Sequence, residues 1–261
     1  MQFPTRIGVD PAGYILNQTS TQKIHPVYRE LLNQILAMLK RCAGAKVHSV
    51  YIYGSVGRGE AVQGTSDIDL TVLLTSPLLA QEKALLDRET AALVRLNPLV
   101  PKVDYDMGVV AEVLKQENQF YWGFWLKHVC SCIYGEDLSV KWPQMKPDVR
   151  ICQAMNQDLM ETLTSYRKVI LDKEADAYTL QSILKRIVRG AYCYVAVSDE
   201  SWSTDIRENL QILQHYFPNE AYFEEIEAVF LLQKPLNRDD VLSCLDYFIT
   251  WFSEHSIKGK E

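Results

Sequence analysis

Residues 50–74 read VYIYGSVGRGEAVQGTSDIDLTVLL, and this segment sets the interpretation of the whole chain. Residues 51–53 and 68–74 are mostly β-branched, aromatic or apolar, which favours strands. Between them stand glycines at positions 54, 57, 59 and 64, which allow backbone conformations that other residues resist. The segment therefore predicts a strand, a glycine-rich turn and a second strand.

Two carboxylates enter the second predicted strand. Asp67 and Asp69 are two residues apart, so on a strand both side chains project from the same face. Carboxylates held this close repel each other unless a cation lies between them. Such oxygen ligands suit Mg²⁺, which keeps water and phosphate oxygens among its ligands, and backbone N–H groups of the glycine turn suit phosphate. These residues indicate a site for Mg²⁺ and a nucleotide.

The spacing of these motifs resembles a known signature. The pattern consists of Gly54-Ser55, then Arg58-Gly59, then Asp67 and Asp69 within Ser-Asp-Ile-Asp-Leu. It is similar to the signature of the DNA polymerase beta-like nucleotidyltransferase superfamily, and within it to two-domain members such as the aminoglycoside adenylyltransferases. Eleven residues separate Ser55 from Asp67. That is one more than in many members, and added loop length of this kind costs little.

The resemblance implies a Mg²⁺-dependent enzyme. It would move a nucleoside monophosphate, in the simplest case AMP from ATP, onto a hydroxyl of a small molecule and release pyrophosphate. An aminoglycoside-like compound is one candidate acceptor. Asp67, Asp69 and a third acid would hold two Mg²⁺ ions, and ATP or another NTP would be the co-substrate. Arg58 either contacts phosphate, which we favour, or anchors the turn through Glu60. The resemblance assigns four residues to the nucleotide: Gly54, Ser55, Arg58 and Gly59.

The third acid is expected on the strand predicted at residues 102–110. Alternation places Asp104 and Asp106 together on one face of that strand, away from its apolar residues. A carboxylate inside an apolar strand is costly unless it is paired or metal-bound. The superfamily carries its third carboxylate on a strand beside the Asp-x-Asp strand, and its Val-Asp-apolar pattern favours Asp104. Asp106 is the alternative.

The second half of the chain has helical periodicity. The predicted fold class is therefore α+β: a nucleotidyltransferase core with a mixed sheet and flanking helices over residues 1–142, then an all-α bundle over residues 147–261. Lys185 and Arg189 lie one helical turn apart beside an apolar stripe, where they either reach the nucleotide or form a solvated basic edge. Five helices are predicted, at 148–172, 177–198, 204–216, 219–232 and 238–256.

Composition narrows the class of partner. The net charge is -6 over 261 residues, which argues against a long nucleic acid as substrate.

We find no apolar run long enough to span a membrane and no signal core, so a cytoplasmic location is expected. The six cysteines show no zinc spacing and are expected to be reduced and mostly buried. The aromatic segment 120–127 is expected to form a core seam rather than a stacking platform.

Two other functions remain open at this point. One is a nucleotidyltransferase that modifies a protein partner, as in toxin–antitoxin systems, although such cores are usually much shorter. The other is a nucleotide-binding regulator without catalysis, which the intact Asp67 and Asp69 pair argues against. The oligomeric state is not readable from the sequence, and a homodimer is one alternative.

Overall fold

A computed structural model describes residues 2–172, 175–231 and 236–255. The chain divides into two compact units, and one of them combines two stretches that are far apart in the sequence. Residues 17–144 form the sheet unit, and residues 1–16 together with 145–261 form the helical unit. The predicted α+β fold class, a mixed sheet with flanking helices followed by a helical region, is confirmed.

The sheet unit is built on four strands in the order β3-β2-β1-β4. Strand β1 pairs antiparallel with both β2 and β4, whereas β2 pairs parallel with β3. The strands have the following bounds: β1 Val47–Tyr53, β2 Ile68–Leu74, β3 Val103–Val109 and β4 Ser131–Gly135.

One face of this sheet is covered by two long helices. Helix α1 (Pro26–Ala43) begins at a proline, whose fixed φ suits a first helical turn, and helix α3 spans Ala80–Leu96. In β2, Ile68, Leu70 and Val72 alternate onto this face and are fully buried. Their neighbours in β2 therefore point to the opposite face, and these neighbours include Asp69.

The opposite face of the sheet is covered by the segment after β3. It contains helix α4 (Val110–Val113) and two π-helical turns, Gln119–Gly123 and Trp125–Val129. Phe124, between the two turns, and Leu126, in the second, are buried, as the expected core seam requires. The glycine-rich turn predicted between β1 and β2 is partly wrong, because residues 54–58 form a short helix, α2 (Gly54–Arg58).

The helical unit contains six helices among the residues that the structure describes. The predicted helix at 148–172 is broken at Asn156–Asp158, and the predicted helix at 177–198 ends at Tyr192. The second helix ends early because the Tyr192 hydroxyl contacts Ser201 Oγ and accepts from Ser203 N, which draws the chain back. The predicted ends at 232 and 256 lie outside the described residues. The helices are α5 Val149–Met155, α6 Leu159–Leu171, α7 Ala177–Tyr192, α8 Ile206–Tyr216, α9 Ala221–Leu231 and α10 Arg238–Glu254.

Residues 2–16 belong to the same compact unit as the helices after residue 145, whereas the sequence placed them in a first domain of residues 1–142. Buried Asp199 accepts hydrogen bonds from the Thr5 backbone N–H at 2.9 Å and from the Thr5 hydroxyl. Trp202 N donates to Ile7 O at 2.8 Å. These contacts join positions about 195 residues apart, and so distant a pairing leaves no periodic signal in the sequence.

We expect Asp199→Ala to lower the free energy of unfolding by about 1–3 kcal/mol, because it removes a buried acceptor and leaves the half-buried donors of Thr5 unsatisfied. The matched control is Glu200→Ala, which removes the exposed ion pair with Arg6 and should cost about 0–1 kcal/mol. Urea denaturation of both variants measures the difference. Equal losses would mean that Asp199 does not anchor the N-terminal segment.

All six cysteines are free thiols, and every one except Cys132 is buried. Burial raises the pKa of Cys130 and so suppresses its reactive thiolate form. Among the described residues, no helix is long and apolar enough to cross a bilayer.

Candidate active site

Strand register brings the predicted acids to one edge of the sheet. Asp69 on β2 pairs with Asp104 on β3, whereas Asp106 pairs with Thr71, two residues further along the strands. In parallel strands, residues in register project from the same face. Asp67 immediately precedes β2, so three of the candidate acids, Asp67, Asp69 and Asp104, lie near the start of the parallel strands.

Gly54 lies against this edge and could not carry a side chain. Tyr53, the last residue of β1, pairs with Asp69, and Gly54 follows with φ +69°. A Cβ atom added to Gly54 would lie 1.9 Å from Asp69 Oδ2. The positive φ and the close approach together explain why glycine is needed where helix α2 begins.

The remaining turn residues occupy the short helix α2 and its end. Ser55 stands in the first turn of α2, directly after Gly54. Gly59 ends the helix with φ +78° and donates to Ser55 O and Val56 O. Arg58 donates from Nε to Glu60 Oε2 at 2.8 Å. This contact is the anchoring alternative for Arg58, and its contact with phosphate stays a prediction.

Lys102 is a basic residue at this edge that the sequence did not single out. Its Nζ lies 2.7 Å from Asp104 Oδ1, and its carbonyl accepts from Ile68 N, between Asp67 and Asp69. Burial alone would lower the pKa of Lys102, but the hydrogen bond and charge of Asp104, with the charges of Asp67 and Asp69, raise the pKa overall. Lys102 is therefore inside the field of all three carboxylates.

Within the described ranges, no three or more His, Cys, Asp or Glu side chains are grouped closely enough to hold a metal ion. At Asp104, the ammonium of Lys102 supplies the opposite charge. The acids are thus neighbours on the sheet, and the positive charge beside Asp104 in this structure is the ammonium group of Lys102.

Asp106 has a different environment from Asp104. It accepts a hydrogen bond from the Tyr53 hydroxyl at 2.7 Å. Loss of solvation raises the pKa of Asp106, the hydrogen bond from Tyr53 opposes this, and the nearby charge of Asp104 adds to the rise. Asp106 is tied to β1, whereas Asp104 faces Asp69 across the strand pair.

The aromatic segment also contacts this face of the sheet. Trp125 Nε1 donates to Thr71 Oγ1 at 2.9 Å. The Trp125 and Tyr53 rings pack edge to face, with 4.9 Å between their centroids. A Cβ added to Gly108 would lie 2.9 Å from the Trp122 ring. The aromatic residues thus pack against the sheet rather than forming an isolated surface platform.

Two predicted nucleotide contacts lie elsewhere in the chain. Lys185 and Arg189 are both on α7, in the helical unit, where Lys185 is half-buried and Arg189 exposed. Their stripe neighbours Ile187 and Val188 are buried, which agrees with the amphipathic pattern. A role in binding the nucleotide remains a prediction for both.

Residues 32–120 match the model of the family described as "Nucleotidyltransferase domain". The matched range contains β1, the Gly-Ser turn, both acids of the Asp-x-Asp pair and all of β3. The resemblance drawn from the sequence is thereby confirmed for this part of the chain. The predicted enzyme class is confirmed with it.

A solved structure extends the likeness of fold beyond that domain. It is spectinomycin adenyltransferase AAD(9) from Enterococcus faecialis, determined with ATP and spectinomycin. The TM-score is 0.56 at 15% sequence identity, and the match covers 85% of this chain and 98% of that chain. No curated protein matched the sequence.

The residues missed from the sequence are Lys102 and Tyr53. Lys102 stands two positions before Asp104, so the alternation that grouped Asp104 with Asp106 would also have grouped Lys102 with them. The bond from Tyr53 to Asp106 crosses from β1 to β3 over the intervening strand β2. It could be found only once the strand order was known.

Proposed function

We propose that this protein transfers AMP from ATP to a hydroxyl group of a small molecule and releases pyrophosphate. The observation that carries the proposal is the register pairing of Asp69 with Asp104 beside Gly54, within a nucleotidyltransferase domain. Nucleotidyl transfer needs negative charge held in place next to a phosphate cradle, and these residues supply both.

The donors at this edge fit Mg²⁺ in their chemistry. Asp67, Asp69 and Asp104 offer only oxygen atoms, which Mg²⁺ prefers, and they lie on adjoining strands at one edge of the sheet. These three residues would hold the metal, with Asp104 exchanging its contact with Lys102. Two Mg²⁺ ions, when bound, would neutralise charge on the attacking and leaving oxygens.

The protein's own groups have distinct roles in this proposal. Asp104 accepts the proton of the acceptor hydroxyl as general base. Backbone N–H groups at Gly54 and the Ser55 hydroxyl donate to the phosphates of ATP, and Gly59 lets the chain leave the short helix without a clash. Arg58 adds positive charge for the phosphates.

The acceptor class follows from two observations. The AAD(9) structure contains ATP together with spectinomycin, and we extend that pairing of ATP with a small molecule to this chain. The net charge of -6 suits a cationic acceptor of the aminoglycoside type better than an anionic one. A small hydroxylated molecule is therefore proposed as acceptor rather than a nucleic acid.

The experiment uses ATP labelled at the α-phosphate, with Mg²⁺, a metabolite extract and an aminoglycoside panel. Products are separated by thin-layer chromatography for small molecules and by gel for proteins. We expect label on a small molecule with wild-type protein and none with Asp69→Asn. Label on a protein band alone would favour a protein acceptor instead. Nucleotide binding without any transfer would favour a regulator.

A further inference from the structure

Lys102 is held at the acidic edge by its backbone. Its carbonyl accepts from Ile68 N at 3.1 Å, so the residue is fixed directly before β3 and beside the start of β2. Strand alternation then directs its side chain to the same face as Asp104, two residues later. The ion pair at 2.7 Å between Lys102 Nζ and Asp104 Oδ1 follows from this placement.

The position of Lys102 matters because several negative charges meet at this edge. Lys102 interacts electrostatically with Asp67 and Asp69 in addition to Asp104. Arg58, a nearby cation of the sheet unit, is instead paired with Glu60. Lys102 therefore offsets repulsion that the carboxylates would otherwise exert on one another.

The contact is also weak enough to be exchanged. The side chains of Lys102 and Asp104 are 53% and 36% exposed. Ion pairs that water reaches this easily contribute little to stability, and a divalent cation competes for the same carboxylate with twice the charge. The lysine can leave Asp104 without a large penalty.

We propose that Lys102 is the resting counter-ion of the acidic edge, and that a divalent metal ion displaces it from Asp104. The proposal rests on the proposed function, because it takes Asp104 as a ligand of the metal. It makes Lys102 a positioning residue: it holds Asp104 beside Asp69 until the metal binds, and it lowers the affinity of the site for free metal.

The test compares wild type with Lys102→Met, which keeps the length of the side chain but removes the charge. The matched control is Lys83→Met, because Lys83 pairs with Asp87 on α3 at 54% and 55% exposure. Mn²⁺ binding without nucleotide is measured by the electron paramagnetic resonance signal of free Mn²⁺. We expect Lys102→Met to bind Mn²⁺ about tenfold more tightly, since a competing charge is gone. Lys83→Met and Lys102→Arg should bind like wild type.

A second readout needs no metal-dependent activity. In EDTA, Lys102→Met should melt at a lower temperature than Lys83→Met, and saturating Mg²⁺ should close that gap. Equal Mn²⁺ affinity of wild type and Lys102→Met would overturn the proposal for Lys102 alone. Absence of Mn²⁺ binding in every variant, with and without ATP, would overturn the proposed function and this inference with it. The two failures are therefore distinguishable.

Discussion

Asp69→Asn is expected to reduce nucleotidyl transfer by at least about 10³-fold, equivalent to about 4 kcal/mol of transition-state stabilisation. Asp69 lies between Gly54 and Asp104, so it is the carboxylate that joins the phosphate cradle to the third acid. The amide keeps the shape of the side chain but loses the charge that a metal needs. Initial rates of adenylyl transfer at saturating ATP measure the effect.

The same substitution should not destabilise the metal-free protein. In EDTA, Asp69 contributes repulsion towards Asp67 and Asp104, so its neutralisation should leave the melting temperature unchanged or slightly raised. Differential scanning calorimetry with and without Mg²⁺ tests this, and Mg²⁺ should stabilise wild type more than the variant. A large loss of stability in EDTA would show that Asp69 has a structural role, and the loss of activity would then say nothing about metal binding.

Gly54→Ala is expected to abolish transfer and to destabilise the sheet unit. The added Cβ would lie 1.9 Å from Asp69 Oδ2, so either Asp69 or the start of α2 must move. The φ of +69° adds strain of about 1–3 kcal/mol for a residue other than glycine. Activity assays and urea denaturation of the same preparation separate the two effects.

Gly44→Ala is the matched control for this prediction. Gly44 also has a positive φ, +58°, but an added Cβ would meet nothing within 4 Å. It should therefore show the backbone strain without the collision, and its transfer rate should stay within about twofold of wild type. Retention of activity in Gly54→Ala would contradict the close approach between Gly54 and Asp69.

Local pattern was enough to predict the elements that carry the site. Strands β1 and β2 were placed by their β-branched and aromatic residues. The class of enzyme followed from the Gly-Ser, Arg-Gly and Asp-x-Asp pattern, because all three motifs lie within one short segment. Each of these predictions used only residues that are close together in the sequence.

The rest depended on contacts between distant positions. Asp104 could be favoured from the sequence, but its place beside Asp69 depends on the register of two strands that no local signal fixes. Residues 2–16 pack with the helical unit through Asp199, a buried acid about 195 residues away from Thr5. Arg58 had two plausible partners, and only three-dimensional placement showed it beside Glu60.

The most direct test of the account is to identify which bond of ATP the protein cleaves. Wild-type protein with Mg²⁺ and acceptor, given ATP labelled separately at the α- and γ-phosphates, should leave the α-label on an adenylylated product and the γ-label in pyrophosphate. Both should disappear in Asp69→Asn. Formation of ADP and orthophosphate, or transfer that persists in Asp69→Asn, would contradict nucleotidyl transfer at this acidic edge.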